Sequence, residues 1–318
     1  MKRIGVLTSG GDAPGMNPAV RSVVRCAIDA GLEVVGFIGG FAGLVNNNYV
    51  KLSSRDVGNI IYRGGTFIKT SRCDEFKTEM GMQKAADTIK SLNINSLIVI
   101  GGDGSLHGAL ELEKRGVSVI FIPCTIDNDV YYSDYSLGFD TACNTIVNLV
   151  NNLRDTSESH DNIFVVEVMG AYCGELAIHA GLASGAEDVF VPEEKPDIEG
   201  LLNSLKLSIK KGKKSSIIFV NEHTLDIREL ANIIHSRLHR EVRCVVLGHT
   251  QRGGSPSFVD RLNAAKFGRE AVDLALGSRG GAIGIKNDKI VVVNIETALK
   301  AKRRYDRSML NLIKILAK

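Results

Sequence analysis

The chain has no CxxC pair: its six cysteines stand singly at positions 26, 73, 124, 143, 173 and 244. That scatter excludes a zinc ribbon and a disulfide framework, and it is the usage of a reduced, cytoplasmic protein. His235 and His239 have i, i+4 spacing, but no HExxH glutamate stands between them, so they read as a solvated helix face rather than a metal site. No apolar run approaches the ~18 residues of a membrane span, which argues against a membrane protein. The opening MKRIGVLT reaches Ser-Gly-Gly too soon for a signal peptide. An excess of one charge is also missing. The 39 Lys and Arg against 36 Asp and Glu leave +3, too small and too dispersed for nucleic-acid binding. There is no internal repeat and no low-complexity linker, so any two domains are joined by several chain crossings rather than one tether.

What is present is ordinary for a globular chain: 318 residues, 44% hydrophobic and 24% charged, enough for two domains. Apolar runs of strand length alternate with helical-period segments, the pattern of an α/β protein with parallel sheets. The spacing predicts strands near 3–8, 33–38, 96–100, 119–123, 163–168, 188–191, 216–220 and 244–247, and helices near 16–30, 78–92 and 227–239, the last capped by Asp226. The tail, with Leu310, Leu312, Ile313, Ile315 and Leu316, reads as a docked amphipathic helix.

Two strand-to-loop junctions carry the chemistry. Ser96–Ile100 runs into Gly101-Gly102-Asp103-Gly104-Ser105, and Val119–Pro123 leads to Thr125-Ile126-Asp127-Asn128-Asp129. In a parallel sheet such loops lie side by side at the carboxyl edge, where ligands bind. Glycines admit a polyphosphate, and Asp103 is a hard oxygen ligand suited to Mg²⁺. Asp127 and Asp129, two apart in an extended loop, point the same way. One could take a hydroxyl proton and the other contact metal-bound water, as phosphoryl transfer requires; an Asx turn would use the same residues. Gly10-Gly11, after the first strand, suits an anion site or a simple strand-to-helix turn.

The segments LTSGGDAPGMN (7–17), RGGT (63–66), IGGDGS (100–105), TIDND (125–129), RDTSESH (154–160), VEVMG (166–170) and LGHTQRGGSP (247–256) occur in one order along the whole chain. Together they resemble the bacterial-type ATP-dependent 6-phosphofructokinases. The resemblance implies the phosphofructokinase fold, with two Rossmann-like three-layer domains and mainly parallel sheets. It places a larger nucleotide-binding domain at 1–138 plus 251–301 and a smaller sugar-phosphate-binding domain at 139–250 plus 302–318. It implies transfer from MgATP to fructose 6-phosphate, with Asp127 as base and Thr125 and Asp129 beside it. Gly11, Arg72, Cys73, Gly102, Asp103, Gly104 and Ser105 would hold the nucleotide and its Mg²⁺. Met169, Gly170, Glu222, Arg243, His249 and Arg252 would hold the sugar phosphate, with Arg243 supplied by a neighbour in a homotetramer. Arg21, Arg25, Arg154, Gly185, Glu187, Lys211 and Lys213 resemble a pocket for ADP or phosphoenolpyruvate. Arg243, His249 and Arg252 group near one strand end in sequence, and guanidinium forks suit a phosphate.

Departures fall at functional positions. Asn162 and Ala171 stand where the family usually has arginines, and Ser54 where many relatives have another effector-site arginine. Phe41, Cys73, Lys77 and Met82 replace residues that usually flank the base. Gly104 resembles the ATP-using branch rather than the pyrophosphate-using one, whereas Cys124 matches neither branch. A working kinase with a weakened sugar-phosphate site, a nucleotide-sensing regulatory paralogue and a kinase for another sugar phosphate are the alternatives these departures leave.

Overall fold

The computed structural model describes residues 2–302 and 306–317. The 302–318 segment assigned to the smaller domain therefore includes residues 303–305 and 318, which lie outside the described residues. Two compact units are formed, Met1–Thr141 with Arg252–Arg303 and Ala142–Gln251 with Arg304–Lys318. In chain order the strands are β1 (Arg3–Thr8), β2 (Glu33–Phe37), β3 (Tyr49–Leu52), β4 (Ser96–Gly101), β5 (Val119–Thr125), β6 (Leu137–Gly138), β7 (Ile163–Val168), β8 (Asp188–Phe190), β9 (Ser216–Asn221), β10 (Val242–Val246), β11 (Gly281–Lys286) and β12 (Lys289–Val293).

The first unit is built on a sheet of order β12-β11-β5-β4-β1-β2-β3, with β6 paired to β5. Its centre is parallel, and the antiparallel β3 and β12 close the edges. The central strands are continuous apolar runs because both faces are covered: Leu97, Ile98, Val99 and Ile100 are all fully buried. The helix Met16–Asp29 presents Val20, Val23, Val24 and Ala27 to the core and packs against the helix Phe258–Leu276. Thr78 caps the helix Glu79–Ser91 by accepting from the Gly81 N–H at 3.0 Å.

The second unit carries an all-parallel sheet of order β10-β7-β9-β8. Its core joins Ile163, Val165, Ile218 and Val220 to Leu201, Leu205, Leu230 and Ile234 from helices Ile198–Lys210 and Ile227–Leu238. Asp226 caps the latter by accepting from the Arg228 and Glu229 N–H groups. The tail forms a helix, Arg307–Leu316, that buries Leu310 and Ile313 and leaves Leu312, Ile315 and Leu316 exposed. No helix among the described residues is long and apolar enough to cross a membrane.

Candidate active site

In the first unit, β1, β4 and β5 are parallel neighbours, with Thr8 in register with Ile100 and Gly101 with Pro123. Three loops consequently leave the carboxyl edge together. The Ser9 N–H donates to the Ile100 carbonyl at 2.9 Å, tying the first loop to the end of β4. Thr70 Oγ1 donates to the Gly10 carbonyl at 2.9 Å and so draws in the segment that carries the exposed Arg72. A β carbon on Gly11 would lie 2.1 Å from Arg252 Nη1. Only glycine lets the Arg252 guanidinium lie there, where it also reaches the Asp12 carbonyl at 3.4 Å. Arg252 thus sits on the phosphate-type loop, while Arg243, on β10 of the second unit, is exposed and paired with Glu241 at 2.5 Å.

Gly102 precedes the helix Asp103–Lys114 without any side-chain cap, so the first N–H groups of that helix are available to an anion. Ser105 is buried and its hydroxyl has no partner among the described residues. The direction a side chain on Gly104 would take is open, with nothing within 4 Å. Gly102 packs on the next loop, since a β carbon there would lie 3.2 Å from Thr125 Cβ. Thr125 Oγ1 accepts from the Asp127 N–H at 3.2 Å. Asn128 adopts a left-handed φ of 52°, and its side-chain oxygen accepts from the Ser136 N–H at 2.8 Å. This fixes the backbone between the two aspartates. Burial, and then Asp127 and Asp103, push the Asp129 carboxyl up to about 6. The Asp129 Oδ1 is buried without a hydrogen bond among the described residues. The charges of Asp127 and Asp103 therefore reach Asp129, although no three His, Cys, Asp or Glu side chains among the described residues converge closely enough to hold a metal ion by themselves.

The positions expected to flank the base are largely internal. Phe41 and Phe76 are both buried and stack at 4.1 Å with 14° between their planes. Cys73 and Met82 are half-buried against the same cluster. Lys77 is exposed and pairs with Asp74 at 2.7 Å. Cys124 is fully buried, and burial pushes its thiol well up, with Asp260 adding to the effect.

In the second unit, Met169 and Gly170 follow β7 and Glu222 follows β9. The Gly170 and Ala171 N–H groups donate to Glu222 Oε1 at 3.2 and 2.9 Å, bringing these residues together. Two buried amides that the sequence reading passed over support the turn. Gln251 accepts from the Met169 N–H at 3.1 Å and donates to the Gly248 carbonyl at 2.9 Å. Asn221 donates to the Cys173 carbonyl at 3.0 Å. Their only signal in the sequence is an amide directly after a strand or inside the HTQRGG segment. His249 is exposed in the turn Gly248–Arg252.

Of the effector-type residues, Arg21 and Arg25 lie one turn apart in the first unit, and burial followed by the Arg25 charge lowers the Arg21 guanidinium. In the second unit Arg154 donates to the Gly185 carbonyl at 3.2 Å, the buried Glu187 pairs with Lys213 at 2.7 Å, and Lys211 is exposed. Asn162 is only 5% exposed. Its carbonyl accepts from Ser157 Oγ at 2.7 Å, and its Oδ1 is enclosed without a partner among the described residues. Ala171 holds a left-handed φ of 48° and offers no side-chain donor.

Glycine loops, an uncapped helix start and an aspartate-bearing loop side by side on the carboxyl edge of a parallel sheet suit a protein of the phosphoryl-transfer class. The family model described as Phosphofructokinase matches residues 3–275, and the chain belongs to that family. It is 47% identical over 318 residues to an ATP-dependent 6-phosphofructokinase of Clostridioides difficile (strain 630), and 44% identical over 319 residues to one of Clostridium botulinum (strain Hall), covering 100% of each chain. Phosphofructokinase from Saccharomyces cerevisiae superposes with a TM-score of 0.87 at 34% identity; the match covers 94% of this chain and 45% of the length of the yeast chain. A pyrophosphate-dependent phosphofructokinase from Marinobacter aquaeolei, at 19% identity, shares the fold with a TM-score of 0.85, over 98% of this chain and 91% of its own.

Proposed function

We infer that the chain transfers the γ-phosphoryl group of ATP to the 1-hydroxyl of fructose 6-phosphate, giving fructose 1,6-bisphosphate and ADP in glycolysis. The observation that carries this reading is the parallel register of β1, β4 and β5, which sets the glycine loops beside the loop of Asp127 and Asp129, in a chain that matches ATP-dependent relatives end to end. The open space at Gly104 favours a nucleoside triphosphate, because a larger residue there would fill the place of an α-phosphate.

Asp127 takes the hydroxyl proton as the sugar oxygen attacks phosphorus, and the bond from phosphorus to the ADP oxygen breaks. Thr125 orients the loop through the Asp127 N–H. Arg72 balances charge on the transferring group. Gly11, Gly102, Gly104 and Ser105 bind the phosphates through backbone N–H groups and the Ser105 hydroxyl, with Cys73 at the nucleotide's edge. Asp103 would hold Mg²⁺ with Asp129 on its water, and that ion supplies neutralisation of the phosphate oxygens. Met169, Gly170, Glu222, Arg243, His249 and Arg252 bind the sugar phosphate, Arg243 reaching it from a neighbour in a homotetramer. Arg21, Arg25, Arg154, Gly185, Glu187, Lys211 and Lys213 form an effector site for ADP or phosphoenolpyruvate. The enzyme is cytoplasmic.

A coupled assay of the purified chain with fructose 6-phosphate and ATP, GTP or pyrophosphate tests the reading. Turnover fastest with ATP is expected, and a folded chain inactive with every donor refutes it. The inward-facing Asn162 and the short Ala171 favour, as second reading, a weakly active paralogue that senses nucleotides.

A further inference from the structure

Asp260 is a carboxylate only 2% exposed, in the first turn of the helix Phe258–Leu276. An ionised group in such a place is costly unless its hydrogen bonds are complete. Here they are. Its oxygens accept from the Gly138 N–H at 2.8 Å, from the Thr141 N–H at 2.9 Å and, in a very short contact, from the Thr141 hydroxyl. Ser257 closes the circuit. Its N–H donates to Thr141 Oγ1 at 2.9 Å, and its own Oγ accepts from the Asp260 N–H at 3.2 Å.

The groups held this way are not remote from the chemistry. Gly138 belongs to β6, which consists of Leu137 and Gly138 alone and pairs with Cys124 and Thr125 of β5. A strand of two residues has too few ladder bonds to fix itself, so its position depends on what grips it. Ser136, immediately before it, donates from Oγ to the Thr125 carbonyl at 2.7 Å and from its N–H to Asn128. On its other side β6 rests on the turn after β1: a β carbon on Gly138 would lie 2.8 Å from Ala13 Cβ, and one on Gly15 2.9 Å from Leu137 Cβ. The Asp260 carboxylate thus holds the short strand that both catalytic loops lean on.

We propose that Asp260 is a positioning residue for phosphoryl transfer: by gripping Gly138 and Thr141 it fixes β6, and through β6 it sets Thr125 and the Asp127 base. The proposal rests on the reading of Asp127 as that base. The titratable groups facing Asp260 are Asp140, at the start of the helix Phe139–His160, and the Cys124 thiol on β5. Arg261 is turned away, to the Pro256 carbonyl at 2.7 Å. Burial, opposed by the hydrogen bonds from Thr141 and Gly138, raises the Asp260 carboxyl to about 6. Protonation as the pH falls through that value removes one acceptor and loosens the grip.

The test compares native enzyme, Asp260→Asn and Thr141→Val by steady-state kinetics from pH 5 to 8 and by amide hydrogen exchange of the peptide 124–130. In Asp260→Asn the amide group must present N–H to groups that themselves donate. A loss in kcat of about 10- to 100-fold is expected, the scale of one charged hydrogen bond, with the KM for ATP changed by less than about threefold. Exchange in 124–130 should accelerate, and the fall in kcat as pH drops through about 6 should flatten. Thr141→Val keeps the carboxylate and both backbone bonds; a loss in kcat of about 3- to 10-fold is expected for the one lost hydrogen bond, with faster exchange in 124–130 and the fall in kcat at low pH retained. A variant that melts earlier but has native kcat per folded molecule and native exchange in 124–130 overturns the proposal. If Asp260→Asn does not fold, Thr141→Val decides: native kcat and native exchange there overturn it too. A native chain inactive with ATP and fructose 6-phosphate would defeat the functional reading instead. The exchange measurement would then decide on its own whether Asp260 controls the 124–130 loop.

Discussion

Asp129→Asn should make the protein more stable and less active, and the gain should depend on pH. The carboxyl ionises at about 6 in the fold against an ordinary 3.8, chiefly because it is buried and secondly because Asp127 and Asp103 face it. A raised carboxyl favours the protonated fold. Its stabilising protonation is complete below about pH 4 and is lost as pH rises through about 6. At about 1.4 kcal/mol per pH unit, the native protein carries a cost of about 3 kcal/mol at pH 8 that it lacks at pH 4. An asparagine removes the charge but leaves a buried amide to satisfy, worth about 1 kcal/mol against it. The net expectation is about 2 kcal/mol in favour of the variant at pH 8, or about 3 °C in Tm, and no gain at pH 4. Thermal melts of both proteins at pH 4, 6 and 8, without nucleotide or divalent cations, measure this. A variant less stable than native at pH 8, or a difference that does not change with pH, would refute the reasoning, because either outcome means that burial and the neighbouring aspartates do not raise the Asp129 carboxyl.

Asp127→Ala should abolish turnover, by at least about 10³-fold, while equilibrium binding of ATP stays within a few-fold of native; retained activity would remove Asp127 as the base. Gly11→Ala should cost little stability, since the clashing atom is the far end of the Arg252 side chain, 2.1 Å from the new carbon. Its displacement of Arg252 should raise the KM for fructose 6-phosphate by about 10-fold, on the scale of a lost charged hydrogen bond. Asn162→Arg replaces an enclosed amide with a long cation that must turn outward; a KM for fructose 6-phosphate lowered by about 10-fold is expected, and an unchanged KM would mean that another group already serves the phosphate.

The sequence alone determined a great deal here because hydrophobic periodicity and glycine punctuation are local. The runs Ser96–Gly101 and Val119–Thr125 are too uniformly apolar for anything but strands covered on both faces, and they are the centre of the sheet. The glycines and aspartates that end them were legible as neighbouring loops on one sheet edge, and the parallel register of β4 and β5 sets them there. The Asp226 cap and the helix it starts follow from one side chain reaching two backbone N–H groups. Elements whose existence depends on distant partners were not legible. The strand expected at 244–247 begins at Val242, because pairing with Ile163 sets its register. β6 has two residues and no periodicity; it exists only because β5 lies alongside and Asp260, 122 residues away from Gly138, holds it. The Phe258–Val259–Asp260 stretch reads as an ordinary helix start, and nothing local marks Asp260 as buried or as a support for the Asp127 loop. Arg252 likewise reads as one more phosphate-seeking cation, and only the close approach at Gly11 shows which loop it serves. Residue types and their spacing are properties of the chain and give the chemistry. Which groups share an electric field, which carboxylate is raised and which strand grips which loop are properties of through-space distance, and folding alone sets those.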